Sequence, residues 1–444
     1  MSMINRILCL LLLFLTSLIS VAGNVRQVNT IAELNKAVRD AKPGDIITLK
    51  NGTYKNEKLV LHGNGNESNP IIIQAETPGQ VFIEGNSNMR IGGQYLEIHG
   101  LVFQNGYHND VWELRSKSGV YANHCRITNC KIDGYNNPDD KAKVRWVLLY
   151  GKNNRIDHCT FLNKINEGVL MAVVLEEKGN EQSRIDCSEN KHSIDHNYFG
   201  RRPVLKYTDN GGEIIRIGDS HTSLLSSQTI VEQNYFEHCD GEVEIISVKS
   251  CDNILKNNYF FESAGALVLR HGNRNTVENN IFVGNRKKNS AGIRVINAGH
   301  TIKGNYLEGL KGKGSYSAFS VMNALENPKS NEYHQVKDVL IENNILVDCE
   351  NISFNLRHGN PARAEIQTKI PENVTFRSNV FYNQKGHIQF NFLDGEKGVK
   401  HVTFESNLLN SDAGLKTKEG FKVEKNMVKP SRPTADFEYG TSYQ

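Results

Sequence analysis

The chain has 444 residues, 38% of them hydrophobic and 23% charged, with a formal net charge of +3. That length could hold one large domain or several average ones. The composition excludes a disordered chain, and the small net charge excludes capture of a polyanion by bulk basicity, so any polyanionic partner must be held by a local cluster of charge.

The N-terminal stretch MSMINRILCLLLLFLTSLISVAGN places Arg6 ahead of an apolar run from Ile7 to Leu15, followed by the small residues Ser20, Ala22 and Gly23. This is the pattern of a secretory signal peptide, and the run is short for a membrane span. Residues 1–23 are therefore set apart from the fold, and the mature protein is expected to be secreted or periplasmic. Eight cysteines less Cys9 leaves seven: Cys125, Cys130, Cys159, Cys187, Cys239, Cys251 and Cys349. The number is odd and no C-x-x-C pair occurs, so a disulfide framework is not expected, although one bridge remains open. Several of these cysteines sit in apolar patterns, as small buried hydrophobes do.

The next element is a helix. Thr30 and Glu33 form a capping box, Ile31, Leu34 and Val38 share one helical face, and Pro43-Gly44 stops the run. This helix suits an N-terminal cap on a solenoid.

Beyond it a short pattern recurs: apolar, two variable residues, Asn, one variable residue, then Phe or Leu. It appears as IDHNYF, VEQNYF, LKNNYF, VENNIF, IKGNYL, IENNIL, FRSNVF and FESNLL, with its asparagines at Asn197, Asn234, Asn258, Asn280, Asn305, Asn344, Asn379 and Asn407. The spacings are 37, 24, 22, 25, 39, 35 and 28 residues. Earlier copies, IHGLVF, ITNCKI and IDHCTF, carry Leu or Cys in the Asn slot. A minimum period near 22 to 25 residues, with loops inserted in some copies, is the signature of a solenoid. Strand-like motifs and frequent Gly and Asn turns make it a β-solenoid. The expected fold is all-β: a right-handed parallel β-helix from about residue 45 to 412, in a domain of residues 24–412 that includes the cap, with an irregular tail over 413–444 lying along the outside. The repeated asparagine is expected to occupy left-handed turns and to hydrogen-bond up a ladder. Cys or Leu in its slot indicates that the position points inward.

One group of coils carries chemistry. DNGGEIIRIGDS holds Asn210, Glu213 and Arg216; GEVEIISVKS holds Glu242, Glu244 and Lys249; LVLRHGNRN holds Arg270 and His271; AGIRVIN holds Arg294. Matching positions of successive coils stack about 4.8 Å apart, so four coils can assemble one site. Glu242 and Glu244 are two apart and share a strand face. Two carboxylates and an amide oxygen suit Ca²⁺, with Glu213 able to complete the shell. If the substrate is a uronic acid polymer, Ca²⁺ on its carboxylate makes the C5 proton easier to remove. A lysine beside a cation and an arginine has its charged form disfavoured and can act as the base, while an arginine stays charged and steadies the departing oxygen. Glu244 and Lys249 are five apart, so a regular strand would place them on opposite faces. A bend or coil corner near Ser247 is expected to resolve this.

NGGEIIRIG, EVEIISVKS and LRHGNRN together resemble family 6 of the polysaccharide lyases, which holds alginate lyases and chondroitinase B, over about residues 25 to 410. The resemblance implies a parallel β-helix and Ca²⁺. It implies Lys249 as general base and Arg270 as general acid or its helper. Asn210, Glu242 and Glu244 would be calcium ligands with Glu213 near them, and His271 and Arg294 would bind substrate carboxylates. Arg216, in the first of these blocks, is a further candidate substrate contact. NGGE and RHGNR are more similar to the alginate lyases than to chondroitinase B. NLRHGNPAR adds Arg357 and His358 as a candidate outer subsite. Aromatic rings near the groove are expected to stack on sugars, and the sequence does not select among them.

The expected function is elimination on alginate. The alternatives are a dermatan sulfate lyase with the same machinery, a non-catalytic polysaccharide-binding β-helix, and a hydrolase. Hydrolysis normally needs two facing carboxyl groups. Paired acids followed by Lys and Arg favour elimination instead.

Overall fold

Each copy of the repeat forms one coil of a parallel β-helix, in a computed structural model that describes residues 23–208, 210–357, 361–385, 389–395, 400–411 and 419–443. Three parallel sheets of 14, 13 and 14 strands run along the solenoid. One coil shows the plan. Ile230–Glu232 lies in the first sheet, Tyr235–Cys239 in the second and Glu244–Lys249 in the third, before Ile254–Lys256 returns to the first. Register is kept from coil to coil: Ile194 pairs with Val231, and Val231 with Leu255. The apolar residue that opens each copy is thus stacked into a continuous core.

The predicted asparagine ladder is present from end to end. Each of Asn197, Asn234, Asn258, Asn280, Asn305, Asn344 and Asn379 donates its backbone N–H and its side-chain amide to the Oδ1 of the next rung, at 2.9–3.1 Å. All are fully buried, as are Leu101, Cys130 and Cys159 in the same slot. The left-handed residue of the turn is not the ladder asparagine, however. It is the residue before it: His196, Gln233, Asn257, Asn279, Gly304, Asn343, Ser378 and Ser406 have φ between 51° and 65°. The preceding residue turns the corner, which frees the asparagine to point inward and satisfy buried backbone groups.

A second polar ladder lies at the corner between the third and first sheets, five residues upstream of the first ladder. Cys125 donates to Asn154 at 2.9 Å and Asn154 to the His192 Nδ1 at 3.1 Å. Further along, Thr229 donates to Asn253, Asn253 to Asn275, and Asn275 to the His300 Nδ1. Inside the second sheet, Phe161, Phe199, Phe236, Phe260 and Phe282 stack at centroid distances falling from 5.1 to 4.5 Å.

Helix α1 (Ile31–Asp40) covers the N-terminal end. Thr30 accepts from the Glu33 N–H, and Ile31, Leu34, Ala37 and Val38 are buried. The solenoid extends past its expected limits: Val25–Val28 pairs with Ile46–Leu49 ahead of the helix, and Phe421–Val423 pairs with Asn407–Leu409. The last residues run back over the second sheet. Arg432 meets Glu308 at 2.5 Å, Tyr439 stacks on Tyr235 at 4.4 Å, and Tyr443 donates to the Asn129 carbonyl at 3.0 Å. The seven cysteines from Cys125 to Cys349 are all free and buried. No helix among the described residues is long and apolar enough to cross a membrane. The proposed signal segment, except Gly23, lies outside the described residues, as does His358.

Candidate active site

The third sheet carries the site on its outer face, on β1 (Ile215–Gly218), β2 (Glu244–Lys249), β3 (Gly265–His271) and β4 (Ser290–Val295). Arg216 pairs with Ser247, and Val268 with Arg294, so these positions form one outward column. The expected bend at Ser247 is not there. The irregularity falls two residues earlier, where Glu244 pairs with Ala266 but Ile246 pairs with Leu267. Ile245 is the extra residue of a β-bulge, and both it and Ile246 turn into the core. The bulge flips the alternation once, which puts Glu244, Ser247 and Lys249 on the same face. A second shift inserts Arg270 between Leu269, opposite Val248, and His271, opposite Lys249.

Three carboxylates meet here. One oxygen from each of Glu213, Glu242 and Glu244 lies within 4.8 Å of the others. The close approach of their two loops depends on glycine: a Cβ on Gly212 would stand 2.6 Å from the Gly241 carbonyl carbon. Cations face the acids. Lys249 Nζ is 3.7 Å from Glu213 Oε1, Arg270 Nε is 3.6 Å from Glu244 Oε1, and Arg294 donates directly to the same Glu244 oxygen. The Ser247 hydroxyl donates to the other Glu244 oxygen.

The electrostatics divide the acids. Glu244 is buried, but the charges of Arg294, Lys249 and Arg270 hold it below the usual carboxylate range. Glu242 is pushed up to about 8 by burial and by the charges of Glu213 and Glu244. His271 is pushed down to about 3, by burial first and then by Arg270 and Lys249, so its imidazole is neutral at ordinary pH. Glu213 Oε2 is buried without a hydrogen-bond partner among the described residues. Crowded carboxylates with an unsatisfied buried oxygen form a hard-oxygen donor set, and a divalent cation would relieve its repulsion. The residues therefore fit a Ca²⁺-type ion.

Asn210 is exposed on the loop leading to Glu213, with its backbone N–H on Thr208 Oγ1 at 3.1 Å. Arg216 is half-buried one rung from Ser247. Arg357 stands apart, at the end of Asn351–Leu356, and pairs with Asp394.

The chondroitinase B family profile matches residues 28–439. A mannuronic acid specific family 6 polysaccharide lyase from human gut microbiota is 33% identical, with a TM-score of 0.82 over 94% of this chain and 97% of its own. The chain belongs to polysaccharide lyase family 6. The PL6 alginate lyase AlyGC is 42% identical, with a TM-score of 0.84 over 95% of this chain, which spans 57% of the length of AlyGC. The PL6 polysaccharide lyase Pedsa3628 from Pseudopedobacter saltans is 26% identical, with a TM-score of 0.74 over 95% of this chain and all of its own. No curated protein matches the sequence.

This family 6 chain also holds residues beneath its site that sequence reasoning missed. Arg202 is fully buried and donates to the Glu213 carbonyl at 2.6 Å, to Gly168 at 2.7 Å and to Gly211 at 3.1 Å. Burial pushes it down to about 10 and it stays charged. Lys164, one coil earlier, donates to the Asn166 carbonyl at 2.8 Å and is held well below the usual lysine range by burial and by Arg202. A signal for both existed. Each lies five residues after its ladder position, where other coils carry Tyr135, Cys239, Ser263, Leu310 and Cys349. Aligned that way, the two cations fall on a slot that is buried in most coils, although Asn285 and Gln384 in the same slot are exposed.

Proposed function

We propose that the chain is a polysaccharide lyase acting outside the cytoplasm on 1,4-linked uronic acid polymers, with alginate as its substrate, by Ca²⁺-assisted β-elimination. The observation that carries this is the convergence of Lys249, Arg270 and three carboxylates on one outer face, within ion-pair reach of one another. The N-terminal signal pattern supports export. The activities of the 42% and 33% identical relatives favour alginate.

Glu213, Glu242 and Glu244 would hold the ion, with Asn210 as a neighbouring oxygen donor. Bound there, Ca²⁺ would neutralise the uronate carboxylate beside C5. Lys249 takes the C5 proton on its Nζ. The electron pair left behind forms the C4–C5 double bond as the bond from C4 to the glycosidic oxygen breaks. The Arg270 guanidinium stabilises that departing oxygen, which takes its proton from water, and Lys249 later returns the C5 proton to water. The C5 hydrogen is in effect exchanged for a proton on the new hydroxyl, and no water is consumed.

Arg294, fixed by Glu244, and Arg216 offer positive charge to flanking sugar carboxylates. Neutral His271 offers a hydrogen bond rather than a charge. Arg357 would serve an outer subsite by sharing its guanidinium with Asp394, and His358 is next to it in sequence.

The test is ultraviolet absorbance from the new double bond, measured with calcium on alginate, on its mannuronate and guluronate blocks, and on dermatan sulfate. A rise with alginate is expected. A rise with dermatan sulfate alone would make that polymer the substrate instead, and no rise with any of them would overturn the lyase reading.

A further inference from the structure

The segment between Phe319–Met322 and Lys337–Glu342 does not stay on its own coil. The Ser223 hydroxyl, on the loop after β1, lies 2.6 Å from the Ser330 carbonyl. The coil of Phe319–Met322 is four rungs from β1, about 19 Å at the usual strand spacing. The segment is therefore a strap laid back along the edge of the site. It is pinned at its start, where Ala324 donates to Lys369 at 2.8 Å, and it is closed on itself by the Leu325 N–H on the Tyr333 carbonyl at 3.1 Å.

The strap brings Tyr333 onto Arg270. The Arg270 guanidinium lies over the Tyr333 ring, 4.2 Å from its centroid. The ring is seated against Ile296, Met322 and Leu356. This stack lies against the guanidinium, whose other contacts are weaker. The Arg270 Nε is 3.6 Å from Glu244, too far for a hydrogen bond, and Nη1 is buried with no partner among the described residues. Arg294, by contrast, is fixed by direct donation to Glu244.

We infer that Tyr333 is a positioning residue for Arg270: its ring holds the guanidinium in one orientation so that its charge stays presented to the departing oxygen of the substrate. The inference rests on the lyase reading of the site. Its role is orientation, and a small misplacement of a charge-stabilising group is costly in rate.

The experiment compares wild type with Tyr333→Phe, Tyr333→Leu and Tyr333→Ala on alginate with calcium, each singly and in an Arg270→Lys background. Melting temperatures and the nitrogen NMR resonance of the Arg270 Nε–H are followed alongside. Tyr333→Leu keeps apolar volume against Ile296, Met322 and Leu356 but removes the aromatic face. It is expected to lose about tenfold in kcat with little change in KM, and to lose the ring-current shift of the Arg270 resonance. Tyr333→Phe is expected to restore both. In the Arg270→Lys background, Tyr333→Leu is expected to cost no more than about twofold, because it acts through the group already replaced. Wild-type kcat in Tyr333→Leu, or an equal loss in both backgrounds, overturns the inference while the lyase reading stands. A wild type that gives no unsaturated product overturns the lyase reading, and the positioning role falls with it.

Discussion

The Arg202 guanidinium, fully buried inside the solenoid, donates to the Glu213 carbonyl at 2.6 Å. Arg202 thereby ties down the loop that delivers one acid, and Gly241, next to another acid, packs against it: a Cβ on Gly241 would sit 2.9 Å from the Arg202 Nε. Arg202→Met would strand the carbonyls of Glu213, Gly211 and Gly168 in a dry interior. Loss of a buried charged hydrogen-bonding partner costs about 3–5 kcal/mol. Thermal melting is expected to show that drop, with loss of activity, and Arg202→Lys is expected to recover little because one ammonium cannot reproduce the fork.

The asparagine ladder makes a graded prediction along the solenoid. Asn258 accepts two bonds from Asn234 and donates to Val231 and Asn280. Asn258→Ala leaves several buried groups unpaired, at about 1–3 kcal/mol each before relaxation. Asn407 ends the ladder of asparagines and donates to backbone carbonyls. Because Asn407 has no further asparagine rung to donate to, Asn407→Ala is expected to cost less than Asn258→Ala. Denaturant unfolding of the two variants compares the losses.

Acid stability should track the second ladder. His192 and His300 are fully buried, and burial pushes them down to about 3 and about 4. Each accepts a backbone N–H at Nδ1, which requires that nitrogen to be unprotonated. The unfolded chain takes up these protons below its ordinary histidine range while the folded chain does not. The unfolded state then binds more protons, so stability falls as pH falls from about 6.5 toward 4, by up to about 1.4 kcal/mol per pH unit for each histidine. Melting temperature against pH measures this slope, and His192→Asn, which keeps an acceptor, is expected to flatten it.

Calcium should bind where the acids repel one another. A ligand that binds only the folded state adds about 2.7 kcal/mol at a hundred times its Kd. Melting temperature is expected to rise with added Ca²⁺ in the wild type. Glu242→Gln removes one of three mutually repelling carboxylates, so without metal it is expected to be no less stable. It is expected to lose most of the calcium response. Calorimetric titration of Ca²⁺ into both proteins gives the affinities.

What the sequence made legible was periodic. The repeat located every rung from Asn197 to Asn407, and the charged blocks located the residues that now face one another across coils. Register alone brings such residues together, and register was readable. What was not readable depends on departures from period. The bulge at Ile245 is one extra residue in a strand whose composition looks regular, so the sequence shows that the face must change but points to Ser247 rather than Ile245. Tyr333 arrives on a strap whose path is set by Ser223, over a hundred positions away along the chain, and no local pattern announces it. The ladder asparagine was assigned to the left-handed turn because Asn tolerates that conformation. The neighbour takes it instead, since an inward side chain is needed to satisfy the buried backbone. Arg202 and Lys164 are hard to read for a different reason: isolated cations are usually solvated, and only alignment to a slot that is buried in most coils suggests otherwise for these two.

The most direct test of the central claim is the initial rate of unsaturated-product formation from alginate by Lys249→Met, beside wild type, with calcium present and folding verified by melting. Removing a general base typically costs a hundredfold to ten-thousandfold, so the account predicts a loss of about a thousandfold or more, with Ca²⁺ still binding. A Lys249→Met enzyme that forms the product within about tenfold of the wild-type rate would contradict it.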